Sequence, residues 1–462
     1  MSLLGRAREL ERLRAAWKLA QRGRAQFALV WGKRRVGKTF LLSHFVQGRR
    51  AVFFGATEQS ESVELGRLHD ALRQSLGDHV ADRTGGSFAS WEAALKYFAA
   101  LAKDEPLMLV LDEVPYLLAS TPAFASIVQV VWDHLPSKSK LMLVLTGSAI
   151  RVVEDLIGPD GPLRGRPTLP LRLEPLEPLA ARSFLPRLSP PDFLRAYAAC
   201  GGYPLHLRSW DAAKSVEHNL LTHAYDSAGL LTLDAEAMLI EQTSASVGYA
   251  RILAAIGRGR TRYSDIASDA GQRVEMPLEQ LVRAGLVRKV LPVGSPKGAK
   301  PNYAIDDVYL DFWFSCIYAN RAEIASGQGR AVLQRVEPIW QRHLGAVFED
   351  LARHHARRLV EKGELPEDLV VGRWWSVRGP QCEVDVLGLQ GSRTALIGEA
   401  RWQERPLDIA DRVRLEQKLA SVPSPVGEPV YALWGRAGGT AALKKSGTLV
   451  FGLKEMLQKP SP

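Results

Sequence analysis

The 462-residue chain has only three cysteines, Cys200, Cys316 and Cys382. They stand far apart with no C-x-x-C spacing, which excludes a disulfide framework and a cysteine-built zinc site. Histidine is also scarce, at ten residues, and no H-E-x-x-H pair occurs. His354 and His355 are adjacent, on what reads as a helix surface. No apolar run approaches the ~20 residues that span a bilayer, and the first residues lack the apolar core of a signal peptide. The expected location is the cytoplasm, with no membrane partner. Hydrophobic content of 46% and charged content of 24% suit a soluble globular protein. The length suits about three domains. Basic residues outnumber acidic ones by 60 to 50, a net charge of +10. That balance favours an acidic partner such as DNA or RNA without requiring one.

One stretch organises the rest: Gly32-Lys33-Arg34-Arg35-Val36-Gly37-Lys38-Thr39, with the spacing G-x-x-x-x-G-K-[ST]. The apolar run Phe27-Ala28-Leu29-Val30-Trp31 leads in, and Phe40-Leu41-Leu42 with Phe45-Val46 follows at helical spacing. Strand, glycine loop, helix is the setting of a phosphate-binding P-loop. Gly32 and Gly37 free the backbone so that loop N–H groups converge on an anion. The following helix adds its positive end. Lys38 is expected to reach the β- and γ-phosphates of ATP, and the Thr39 hydroxyl to ligate Mg²⁺. A second run, Leu107-Met108-Leu109-Val110-Leu111, reads as a strand buried on both faces. It ends in Asp112-Glu113. Asp112 is placed to hold Mg²⁺, and Glu113 to activate water as a general base.

Around these anchors the pattern alternates strand and helix. Leu10, Leu13 and Trp17 recur at helical spacing; Ala51–Gly55 reads as the second strand. Residues 61–102 read as helices interrupted at 83–87, and 122–135 as another helix. The strand Lys140–Ser148 ends in Thr146-Gly147-Ser148 and should neighbour the P-loop strand. Thr146 or Ser148 then senses the γ-phosphate or the attacking water, unless Ser148 merely caps a helix. The loop Pro162-Leu163-Arg164-Gly165-Arg166 offers arginines that either stabilise a transferring phosphoryl group or stay on the surface. Residues 171–245 are mostly helical and contain Cys200-Gly201-Gly202-Tyr203-Pro204, a helix end followed by a helix start.

Gly5-Arg6 with Glu9-Leu10, the P-loop, Asp112-Glu113, Gly147-Ser148, Pro162–Arg166 and Gly202-Tyr203-Pro204 together resemble the archaeal-type P-loop ATPases of the STAND class, relatives of the AAA ATPases. The resemblance covers nearly the whole chain. It implies that Gly5 and Arg6 line the adenine pocket, although a helix simply packed on the sheet explains them equally. It also implies that Pro204 belongs to a lid that touches nucleotide, and it strengthens the catalytic reading of Arg166.

Residues 249–306 show the winged-helix order. Helices are expected over Tyr249–Ile256, Arg262–Ala270 and residues 275–284, then a strand over Leu286–Leu291, a turn, and Asn302–Ile305. The third helix usually enters the DNA major groove. Here it carries Glu275 and Glu279, which phosphates repel. Lys297 and Lys300 on the wing are better placed to meet a backbone; docking on the ATPase is the alternative. Further on, Glu349 lies on a long helix ending in His354, His355, Arg357 and Arg358. Cys382–Leu387 and Ala395–Trp402 read as neighbouring strands. Period-two alternation puts Glu383 and Asp385 on one face, and Glu399 and Arg401 on one face. Asp385 and Glu399 should meet across the hairpin. This module resembles the PD-(D/E)XK nuclease fold, which implies that Glu349, Asp385 and Glu399 hold Mg²⁺. Arg401 replaces the pattern's lysine and cannot serve as a base; Lys418 is the substitute at hand.

The expected fold is multidomain α/β. It comprises a P-loop NTPase parallel sheet over 1–170, a helical lid over 171–245, a winged helix over 246–320, and a restriction-endonuclease-like α/β domain over 321–462. The expected function is a Mg²⁺-dependent, ATP-hydrolysing STAND-type switch coupled to nucleic acid or a protein partner, with oligomers in view. Two alternatives stand: an ATP-regulated DNA/RNA nuclease, and a nucleotide-sensing regulator that does not hydrolyse.

Overall fold

The computed structural model describes residues 3–243, 247–376 and 381–458. The expected border between lid and winged helix, at 245–246, lies outside them. The chain divides into two compact units. The first runs to Leu176 and includes Tyr203–Leu205; the second takes Glu177–Gly202 and the chain from His206 on.

The first unit is built on five parallel strands: β1 (Gln26–Trp31), β2 (Ala51–Gly55), β3 (Leu107–Asp112), β4 (Leu141–Gly147) and β5 (Leu169–Arg172). Their order is β2-β3-β4-β1-β5. Strands β1, β3 and β4 are buried at every position, which is why they read as unbroken apolar runs. As expected, β4 lies beside β1, with Trp31 opposite Gly147. Helices Lys38–Val46, Glu61–Leu76, Trp91–Leu101, Phe124–Asp133 and Ile150–Ile157 connect the strands. One apolar cluster, including Phe27, Leu68, Trp91, Phe98, Leu109 and Phe124, fixes the sheet. The interruption expected near residue 85 is present: Gly85 is left-handed at φ 73°, and Ser90 caps the next helix through Ala93 N.

In the second unit, helices Val247–Gly257, Tyr263–Ala270 and Glu275–Arg283 precede an antiparallel hairpin, β6 (Val287–Val290) with β7 (Asn302–Ile305). A 25-residue helix, Glu337–Glu361, leads into a second sheet. Its strands are β8 (Leu369–Trp375), β9 (Glu383–Gln390), β10 (Arg393–Arg401), β11 (Pro425–Gly435) and β12 (Leu449–Gly452), ordered β12-β11-β10-β9-β8. Strands β8, β9 and β10 are antiparallel; β10, β11 and β12 are parallel. Helix Ile409–Lys418, started by an Asp408 capping box, makes the β10–β11 crossover.

One expectation fails here. His355 is buried, not on the helix surface, and Trp434 Nε1 donates to its Nδ1 at 3.1 Å. Burial, Arg358 and Lys362 push its pKa down to about 4. The hairpin is anchored within its own unit, on β8, where Val293 N donates to Arg373 O at 2.9 Å.

Candidate nucleotide-binding site

The loop after β1 has the backbone its sequence demands. A Cβ on Gly32 would lie 2.1 Å from Leu173 O, so a side chain has no room there. Gly37 is left-handed at φ 94° and starts helix Lys38–Val46. Arg35 is left-handed too, at φ 67°. Lys33, Val36 and Lys38 are buried, whereas Arg34, Arg35 and Thr39 are exposed. Lys38 Nζ donates to Gly32 O at 2.9 Å and Lys33 O at 3.2 Å, which lays the ammonium along the inside of the loop.

The acidic pair at the end of β3 meets this loop. Thr39 Oγ1 donates to Asp112 Oδ2 at 2.7 Å, joining the two expected Mg²⁺ ligands. A hydroxyl and a buried carboxylate in contact form a hard oxygen donor set that fits Mg²⁺. On the other side, Thr146 Oγ1 donates to Asp112 Oδ1 and accepts from Glu113 N at 3.2 Å. Glu113 is held in the left-handed region at φ 59°, a strained conformation for a residue with a Cβ. Its carboxylate turns toward Ser148, whose N–H and Oγ both donate to Oε2. Gly147 permits this approach: a Cβ there would lie 2.7 Å from Val153 Cγ2 and 3.1 Å from Pro115 Cδ. Sequence reasoning put Thr146 or Ser148 forward as a sensor of phosphate or water; both hydroxyls bind the acidic pair.

The flanking candidates separate. Gly5 is left-handed at φ 71°. The buried Arg6 guanidinium donates to Val36 O at 2.9 Å and Glu174 O at 2.7 Å, and pairs with Glu9 at 2.9 Å. Arg6 therefore braces the loop backbone. Pro204 comes to the loop: a Cβ on Gly37 would be 3.7 Å from its Cγ. Arg166 does not come. It precedes β5, whose first residue pairs with Ala28 near the start of β1, whereas the loop follows the other end of β1. Its Nε and Nη2 grip Asp133 at 2.9 and 2.6 Å. Spacing could not show that Arg166 sits at the opposite end of the strands from Lys38.

Residues 3–209 match the family model described as an ATPase domain predominantly from Archaea. Residues 313–415 match a second model, described as archaeal and bacterial proteins of unknown function. The chain is 26% identical over 428 residues to an uncharacterized protein of Methanocaldococcus jannaschii, covering 89% of this chain and 91% of that one. Among solved structures, the Walker-type ATPase of Pyrococcus abyssi aligns with TM-score 0.50 at 18% identity, over 68% of this chain and 96% of its own. That likeness concerns the fold. The ORC2 protein of Aeropyrum pernix aligns with TM-score 0.44 at 14% identity, over 72% of this chain and 96% of its own.

The second unit gathers a separate acidic cluster. Val386 pairs with Gly398 across β9–β10, which sets Asp385 beside Glu399. Asp385 Oδ2 accepts from Ala400 N at 3.1 Å. Burial and Asp385 push the Glu399 carboxyl up to about 7, against the pull of Lys418 and Arg401. Burial and Asp385 push Glu349 up to about 8. Lys418 reaches Glu399 Oε1 from helix Ile409–Lys418, and Arg401 Nη2 pairs with Glu399 Oε2 at 2.6 Å. Arg353 Nη1 donates to Asp385 O at 2.8 Å. Among the described residues no three acidic, histidine or cysteine side chains are arranged as a ready metal cage. The pattern search missed Arg353 and Arg373, which set the charge around these acids. The Glu349-to-Arg353 spacing of four on one helix was the available signal. No single helix among the described residues is long and apolar enough to cross a membrane.

Proposed function

We propose that the chain is a Mg²⁺-dependent, ATP-hydrolysing switch of the STAND class. The observation that carries this reading is the contact between Thr39 and Asp112, with Glu113 turned onto Ser148 beside it. Loop N–H groups between Gly32 and Thr39 bind the phosphates, and Gly37 with the first turn of its helix adds positive potential. Lys38 exchanges the Gly32 and Lys33 carbonyls for β- and γ-phosphate oxygens. Thr39 and Asp112 would hold Mg²⁺, which would supply positive charge to offset that of the phosphates. Glu113 takes a proton from water as the water oxygen attacks the γ-phosphorus. The bond to the β–γ bridging oxygen breaks, and ADP and phosphate leave. Arg6 keeps the loop in shape through Val36 O, and Pro204 adjoins Gly37 where a lid would close. Phosphate release by the purified chain, lost in Lys38→Ala and in Glu113→Gln, tests the reading. Nucleotide binding without any phosphate release would instead favour a regulator that does not hydrolyse.

The neighbouring Glu349, Asp385 and Glu399 favour a second reading, an ATP-regulated nuclease acting on DNA or RNA. The three helices before β6, with the hairpin, are then a winged helix, and the order helix, β8, β9, β10, helix, β11 suits a PD-(D/E)XK module. Lys418, on Glu399, stands in for the lysine that Arg401 replaces. The ion pairs from Lys418 and Arg401 also fit a module that has kept the fold and lost cleavage. Mg²⁺- or Mn²⁺-dependent cutting that disappears in Asp385→Ala decides between the two.

A further inference from the structure

The hairpin is strongly basic. Residues 287–305 contain Arg288, Lys289, Lys297 and Lys300 and no aspartate or glutamate. All four cations are exposed. The segment joining β6 and β7 is firmly seated. Val293 N donates to Arg373 O at 2.9 Å, and Val293 packs against the apolar cluster of Val384, Leu387, Leu389 and Ile397. The seat is tight: a Cβ on Gly372 would fall 2.9 Å from Val293 Cβ, and one on Gly294 would fall 2.5 Å from Leu389 Cδ1. An otherwise open sheet edge is thereby covered.

The seat adjoins the acidic cluster. Arg373, whose carbonyl takes the Val293 bond, pairs with Glu383, and its charge acts on Glu349 and Asp385. From the hairpin stem, Arg288 Nη2 lies 3.4 Å from Asp350 Oδ2, and Asp350 Oδ1 accepts from Arg353 Nη2 at 2.5 Å. Arg353 in turn donates to Asp385 O at 2.8 Å. A continuous chain of ion pairs and hydrogen bonds thus runs from the hairpin to the Asp385 backbone, and Arg353 Nη1 also lies 4.0 Å from Glu349 Oε2. The third helix, by contrast, exposes Glu275 and Glu279.

We infer that the seated hairpin is a phosphate-backbone clamp. Lys289, Lys297 and Lys300 grip a nucleic-acid strand and lead it past Asp385, with the hairpin instead of the third helix facing the backbone. Charge complementarity argues for this partner: a run of cations without carboxylates suits a polyanion. The inference rests on the nucleic-acid partner of the second reading and needs no cleavage.

Fluorescence anisotropy of labelled single-stranded and duplex oligonucleotides, titrated with the full chain over a salt series, tests it. The triple variant Lys289→Ala/Lys297→Ala/Lys300→Ala should lose affinity about tenfold or more and lower the salt slope by about 2 to 3, since each phosphate contact contributes roughly 0.7–0.9. Its ATP turnover should stay at the wild-type value. Glu275→Gln/Glu279→Gln should bind as wild type does. Asp385→Asn should bind several-fold tighter, because it removes a negative charge from beneath the strand. A triple variant that binds with unchanged affinity and slope overturns the clamp while leaving the nucleic-acid partner standing. Wild-type protein that binds no oligonucleotide overturns both. Equal affinity for polyglutamate also overturns the clamp, in favour of an acidic protein partner.

Discussion

Ser148 holds Glu113 by two hydrogen bonds to one carboxylate oxygen, from its N–H at 3.1 Å and its hydroxyl at 3.0 Å. On the proposed reading the Glu113 carboxylate takes the proton of the attacking water. Glu113→Gln preserves the shape but removes the base. Turnover should drop by about 10²- to 10⁴-fold, the usual worth of a placed base. ATP affinity measured by calorimetry should stay at the wild-type value. Wild-type phosphate release from this variant would remove Glu113 from catalysis.

Thr146 lies one layer deeper. Its buried hydroxyl joins the Asp112 carboxylate to the Glu113 N–H, and so supports the left-handed backbone that turns Glu113 toward Ser148. Thr146→Val keeps the shape and loses both bonds, leaving a buried carboxylate oxygen and a backbone N–H short of a partner. Each loss costs about 1–3 kcal/mol. Turnover should fall about tenfold or more, with a lower melting temperature. Thr146→Ser should restore both. A Thr146→Val protein that matches Thr146→Ser in turnover would show that the hydroxyl orients nothing.

The phosphate loop and its strands were legible because their signals are local. Gly32 and Gly37 are demanded by backbone geometry, and β1, β3 and β4 announce burial through unbroken apolar runs. The pairing of Asp385 with Glu399 was legible because alternation on two strands of a hairpin fixes which residues face each other. What stayed hidden depends on contacts between distant segments. Nothing within the segment Pro162–Arg166 points to Asp133. Nothing around Pro292-Val293-Gly294 says that the turn will seat on Gly372 and Arg373. His355 looked like a surface residue because its partner, Trp434, comes from a strand far along the chain.

Arg166 provides a clean contrast with Glu113. It is occupied by Asp133 at the end of the strands away from Lys38. An arginine that stabilises a transferring phosphoryl group is worth about 10³- to 10⁵-fold in rate. Arg166→Ala should change the turnover of isolated molecules by no more than about twofold, as expected for an exposed ion pair. The assay is steady-state phosphate release at protein concentrations low enough to keep the chain monomeric. A loss of about a thousandfold would restore Arg166 to the site.

The acidic cluster makes a separate prediction about pH. In the fold, burial and Asp385 push Glu349 up to about 8 and Glu399 up to about 7. Unfolded glutamates titrate near ~4.3. Across that interval the folded chain keeps protons that the unfolded chain has released, so stability falls as pH rises. The melting temperature should therefore decline between about pH 5 and about pH 9. The decline should be shallower in Glu349→Gln/Glu399→Gln, whose amides do not titrate. Mg²⁺ or Mn²⁺ binding at this cluster requires the ionised carboxylates, so added metal should raise the melting temperature more at high pH than at low pH. On the proposed reading Thr39 and Asp112 also bind Mg²⁺, so the measurement belongs in Asp112→Ala, which lacks that ligand. A metal effect that is the same at every pH, or that survives in Glu349→Gln/Glu399→Gln, would place the cation elsewhere.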